Sequence, residues 1–168
     1  TIRLKATIDL VAELAIAQDS VSLDQYLERG SQLSDQLNDN QSRIKIQLAK
    51  GFFYSYSSHK EDANPIYARL IAESRLLGDS IFLASIHEEI GKILVNNLQY
   101  TEALKYFHVA LPIYEVLDIR KTMDVLLGID GCYWYLREYS KSLFYARKGL
   151  RIADSLGAVE MKARFRNT

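Results

Sequence analysis

The sequence predicts an all-α fold of about four stacked helix pairs, because apolar residues recur at helical spacing, breaks interrupt them roughly every twenty residues, and a longer period of forty runs through the chain. Ile86, Ile90, Ile93 and Leu94 return at intervals of three and four, as do Leu104, Phe107 and Leu111, so each set lines one stripe of a helix. Strand-like alternation is scarce, and two prolines and eight glycines leave little punctuation in 168 residues.

The elements follow in order from the breaks. These fall near Gln18-Asp19-Ser20, Leu37-Asn38-Asp39-Asn40, Ser57-Ser58-His59, Leu77-Gly78-Asp79, Asn96-Asn97, Val116-Leu117-Asp118, Leu136-Arg137-Glu138 and Leu156-Gly157. Helices of about fifteen residues lie between them, with Ser, Asp and Asn as N-caps and Gly78 and Gly157 as stops. The expected pairs occupy residues 2–38, 42–78, 81–117 and 121–157 of a single domain spanning 1–168, and residues 158–168 open a further helix. Pro65 fits an opening turn, where backbone N–H groups have no intrahelical partner. Pro112 lies deeper and is expected to curve its helix by freeing the carbonyl of His108.

The period ties these pairs together. Gly51, Gly91 and Gly131 are forty residues apart, as are Leu23, Ala63 and Ala103, and Leu27, Tyr67 and Phe107. The second helix of the fourth pair fits a step of thirty-nine, which matches Tyr100, Ala103, Phe107 and Ala110 to Tyr139, Ser142, Ala146 and Gly149. A lone helix pair cannot bury both apolar faces, so it stacks on the next, with small residues at close approaches and rings such as Tyr100, Phe107 and Tyr133 filling gaps.

The stretch Ile90-Gly91, Leu94, Tyr100, Ala103, Phe107 and Ala110 resembles the signature of the tetratricopeptide repeat family. The fourth pair keeps Ile129, Tyr133 and Tyr139 but has Asp130 where glycine is usual and Gly149 in place of alanine; the second keeps Gly51, Ala63 and Tyr67. The resemblance implies a right-handed α-solenoid of antiparallel pairs. The forty-residue unit and the recurring Leu-Gly-Asp or Leu-Asp resemble arrays attached to bacterial signalling proteins, and the start, Thr-Ile-Arg-Leu-Lys, with neither an initiator methionine nor a signal-peptide core, reads as that of an excised piece of a longer protein, cytoplasmic by default. The implied function is a non-catalytic scaffold or sensor that binds a protein or peptide; the alternative is the regulatory region of a signalling enzyme, such as a diguanylate cyclase or sensor kinase, with its effector domain outside this chain.

Composition bounds the partners. Basic and acidic residues balance at 21 each, so no overall field attracts nucleic acid or an anionic membrane. The balance is uneven: residues 1–40 carry three basic and seven acidic side chains, and residues 137–168 carry eight and three. No phosphate loop or nucleophile elbow occurs, and Gly128-Ile129-Asp130-Gly131 falls inside a helical pattern. His59, His87 and His108 are scattered and the lone Cys132 reads as a core residue, so no metal, cofactor or catalytic residue is expected. Glu88 and Glu89 with Lys92 read as ion pairs on a solvated helix face.

In the resembling family, first helices line a groove. By phase this implies Phe52, Ser55 and Tyr56 in the second pair, Glu88, Lys92, Val95 and Asn96 in the third, and Trp134 and Tyr135 in the fourth. Rings offer contact area at low entropic cost, and Asn pairs with a main chain. Glu88 and Asp124 place carboxylates there, so a clamp for C-terminal carboxylates is not expected.

Overall fold

The computed structural model describes residues 2–17, 20–56 and 63–166, without the side chains of 2–4, 12, 15–17, 20, 21 and 56. Among these residues the fold is all-α, with no strand. The helices are α1 (Ile2–Ala17), α2 (Ser20–Gln36), α3 (Asn40–Tyr56), α4 (Ala63–Leu76), α5 (Ser80–Asn96), α6 (Tyr100–Leu117), α7 (Ile119–Tyr135), α8 (Tyr139–Ser155) and α9 (Val159–Arg166). None of them is long and apolar enough to cross a membrane. The breaks expected at Gln18-Asp19 and Ser57-Ser58-His59 lie outside the described residues.

Local chemistry sets the helix ends. Asp39, Asp79 and Asp118 precede α3, α5 and α7, and each side chain accepts from a first-turn amide, of Ser42 at 3.0 Å, Phe82 at 2.9 Å and Lys121 at 3.1 Å. These bonds satisfy donors that have no partner inside the helix. The amide bonds from Ser42, followed by its hydroxyl, hold the Asp39 carboxyl below its ordinary pKa. At the other ends Asn38, Leu98 and Arg137 take positive φ of 50°, 60° and 62°, and Gly78 and Gly157 take 68° and 64°. The next amide then bonds back five residues, as in Gln99 to Leu94 (2.8 Å), Glu138 to Tyr133 (2.9 Å) and Ala158 to Ala153 (2.9 Å). Gly78 and Gly157 thus stop helices without a Cβ penalty, whereas Leu98 and Arg137 bear one.

The chain divides into two compact units, residues 1–77 and 78–168. In the first, α1 packs on α2 and α3, α2 on α3, and α3 on α4. Val11, Leu23, Leu27 and Ile46 form its core cluster, against which Phe52 and Phe53 pack. Pro65 sits in the opening turn of α4, as its spacing predicts.

In the second unit each helix packs on its neighbour in sequence, and α7 also reaches α5 and α9. One ring holds three helices: a Cβ at Gly91 of α5 or Gly128 of α7 would each lie 2.7 Å from Phe107 of α6. Gly149 of α8 likewise faces Phe165 of α9. Gly131, the sequence partner of Gly91 at forty residues, has open space around its Cβ position. The thirty-nine step explains this, because it already begins at α7: Asp118 closes α6 and caps α7 with no intervening turn, so Asp130 takes the place of Gly91. There the fully buried Asp130 Oδ1 accepts from Ser142 at 2.6 Å, and a small residue, Ala146, stands at the position matching Phe107. Helix α6 runs unbroken through Pro112.

Candidate functional site

The residues that phase nominated in the first unit do not share one environment. Phe52 is half-buried against the core cluster. Ser55 is buried, donating to the Gly51 carbonyl at 2.9 Å and meeting the Tyr67 hydroxyl at 2.6 Å, so it secures α3 to α4. The Tyr56 side chain lies outside the described residues.

In the second unit, Glu88 differs from its expected place on a solvated face. Its side chain is 1% exposed and joins three helices. Lys92 of α5 lies 2.5 Å from Oε1, Lys121 of α7 lies 3.4 Å from Oε2, and the Tyr114 hydroxyl of α6 donates to Oε2 at 2.9 Å. An i,i+4 Glu–Lys pair reads the same in sequence whether or not its carboxylate is buried, so spacing could not reveal this. Burial alone would lower the Lys92 pKa, but Glu88 and Glu89 outweigh it and leave the ammonium above its ordinary value. Burial, then the Glu88 charge, pushes the Tyr114 phenol well up. Near neutral pH Lys92 is therefore an ammonium and Tyr114 a neutral phenol. Both lysines remain nearly half exposed and present cations to solvent over a buried carboxylate.

The last turn of α7 carries the largest exposed apolar groups of this face. Trp134 and Tyr135 are 48% and 63% exposed, which makes them surface residues. Tyr135 stacks on Tyr100, the first residue of α6, with centroids 4.7 Å apart and planes within 4°. Trp134 meets Tyr139, the first residue of α8, edge to face at 5.2 Å. Each ring is thus backed by the tyrosine that opens a neighbouring second helix. Sequence reading placed Tyr100 as a gap filler and as the signature aromatic of the third pair, matched to Tyr139 at thirty-nine residues, but not as the ring behind Tyr135. Asn96 is exposed on the last turn of α5, four residues before Tyr100. Val95 is half-buried beside it.

From Lys121 to Tyr135 the α7 axis advances about 21 Å at 1.5 Å per residue. An extended segment of about six residues spans that length. Groups for chemistry are sparse along it. Cys132 is buried, and burial pushes its thiol up to about 12, so it is not a thiolate near neutrality. Among the described residues no cluster of His, Cys, Asp and Glu is placed to hold a metal ion. His87 is buried with Nδ1 2.9 Å from the Leu83 carbonyl, and His108 lies on α6, where burial lowers its pKa. His59 lies outside the described residues.

The chain matches no protein-family model and no curated protein sequence.

Proposed function

We propose that this chain is a helical-repeat module of the tetratricopeptide kind, a right-handed solenoid of antiparallel pairs that binds a peptide or protein segment as a scaffold or sensor, without catalytic chemistry of its own. Support for the repeat comes from recurrence: aspartate caps at positions 39, 79 and 118, and a glycine against a bulky side chain at Gly51 and Tyr67, Gly91 and Phe107, and Gly149 and Phe165. Support for binding comes above all from one observation, the exposed Trp134 and Tyr135 held in place by Tyr139 and Tyr100. Rings already fixed by neighbours lose little freedom when a ligand lands on them.

On this reading the ligand lies along α7, its apolar side chain on the aromatic ledge, its main chain beside Asn96, and its other end near Lys92 and Lys121. Glu88 and Glu89 offset the two lysines, so the face selects no strongly charged segment.

A displayed library of short random peptides, selected on the folded chain, tests this. Selected peptides should lose about tenfold or more in affinity, roughly 1.4 kcal/mol, on Tyr135→Ala or Trp134→Ala, and less on Asn96→Ala. Peptides that bind equally well to all three variants would refute the placement.

A further inference from the structure

One residue beside that face breaks two local rules at once. Leu98 follows the end of α5 at φ 60°, a conformation in which the Cβ crowds the following carbonyl, and its side chain is 72% exposed. The turn itself needs no leucine. The amides of Leu98 and Gln99 bond back to the carbonyls of Val95 and Leu94 through the backbone alone, and the matching turn thirty-nine residues on holds φ 62° with Arg137. Nor is Leu98 open for want of the next helix: α7 is in place, packs on α5 and α6, and brings Tyr135 onto Tyr100, two residues from Leu98. An apolar side chain held in a strained turn and in solvent adds nothing to the fold, and departures of this kind gather where a ligand is met.

The surroundings select the kind of ligand. From Ile93 to Thr101 the chain carries no charge, and three side-chain amides flank the leucine, Asn96 and Gln99 exposed and Asn97 half-buried. Gln99 stands at the N-cap of α6, but its side chain makes no capping bond. Each amide offers donors and an acceptor. A helix has already paired its backbone groups with one another, whereas an extended main chain presents both kinds free. The Cα atoms of Leu98 and Tyr100, two residues apart, stand at most about 7 Å from each other, and alternate side chains on one face of an extended segment are spaced by about the same length.

We infer that Leu98 determines specificity on the proposed peptide face, taking one apolar side chain of an extended, uncharged segment whose next alternate residue, also apolar, rests on the ring of Tyr135. The inference rests on that reading of the α7 face and gives its ligand a pattern, two apolar residues separated by one.

The displayed library of random peptides, selected in parallel on the native chain and on Leu98→Gly, tests it. Peptides from the native chain should share two apolar positions separated by one, and peptides from Leu98→Gly should share a single one. Peptides taken on the native chain should lose about fivefold or more in affinity on Leu98→Gly and on Leu98→Arg, the second of which copies the matching turn. The midpoint of urea unfolding should not fall in Leu98→Gly, which separates a contact residue from one that holds the turn. A single shared apolar position on both chains, unchanged affinity for both Leu98 variants, or a lower midpoint for Leu98→Gly would overturn the inference. Peptides that weaken on Tyr135→Ala but not on the Leu98 variants would remove Leu98 and leave the α7 face standing. Peptides indifferent to all of these changes, or a selection that yields none, would remove both.

Discussion

Alanine at Gly91 and at Gly131 should act with opposite sign, although both are helical glycines of the second unit. Alanine is favoured over glycine inside a helix by about 0.8–1.0 kcal/mol, and this gain applies at both sites. At Gly131 nothing lies within 4 Å of the added Cβ, so Gly131→Ala should stabilise by about 0.5–1 kcal/mol. At Gly91 the Cβ lands 2.7 Å from the Phe107 ring, which cannot retreat because a Cβ position on Gly128 is equally close to it. Overpacking of this kind costs about 1–3 kcal/mol, so Gly91→Ala should destabilise by up to about 2 kcal/mol after the propensity gain. Propensity cancels in the comparison, leaving a gap of about 1–3 kcal/mol between the two variants. Urea unfolding followed by the fluorescence of Trp134, the only tryptophan in the chain, reports on this unit. Combining Gly91→Ala with Phe107→Leu should recover part of the loss, as a coupling of about 0.5–3 kcal/mol. Equal stabilities for Gly91→Ala and Gly131→Ala would refute the reasoning that Phe107 is clamped between two glycines.

Three further outcomes are expected. Leu98→Gly should raise the midpoint of urea unfolding by the equivalent of about 1 kcal/mol, because Leu98 holds φ 60° at a cost that glycine does not bear. His108 should titrate below its ordinary value of 6.5 by NMR. A folded-state pKa below the unfolded one means that its stabilising contribution is present above the unfolded value and is lost as pH falls through 6.5 toward the folded pKa, so His108→Gln should flatten the acid limb of the stability profile. Cys132 should stay unreactive toward a thiol reagent in the native chain at neutral pH and react fully once urea unfolds it, since it is buried and its pKa is pushed up to about 12.

Helix existence and most helix ends were legible in the sequence because they depend on local chemistry. Asp79 and Asp118 cap, Gly78 and Gly157 stop, and Pro65 opens a helix through interactions within a few residues. Matches that depend on packing were harder to read. Gly131 repeats at forty residues, yet Asp130 takes the interhelical position, because the loss of one turn residue at Asp118 shifts α7 as a whole. Of the site residues, phase within the resembling family nominated Trp134 and Tyr135 for a groove, without showing that they are exposed or that Tyr139 and Tyr100 brace them. Ser55 and Glu88 were legible as helix positions but not as buried partners of Tyr67 and Tyr114, whose hydroxyls lie 12 and 26 residues away in sequence.

The stepwise packing of the second unit also shapes how it comes apart. Since α9 packs, among the described residues, on α8 and α7 alone, it can peel away while the grip of Phe107 on α5 and α7 stays closed. Amide protons of residues 159–166 should therefore exchange earliest and those around Ile90 and Leu126 last, a graded release in which the tail yields long before the clamp.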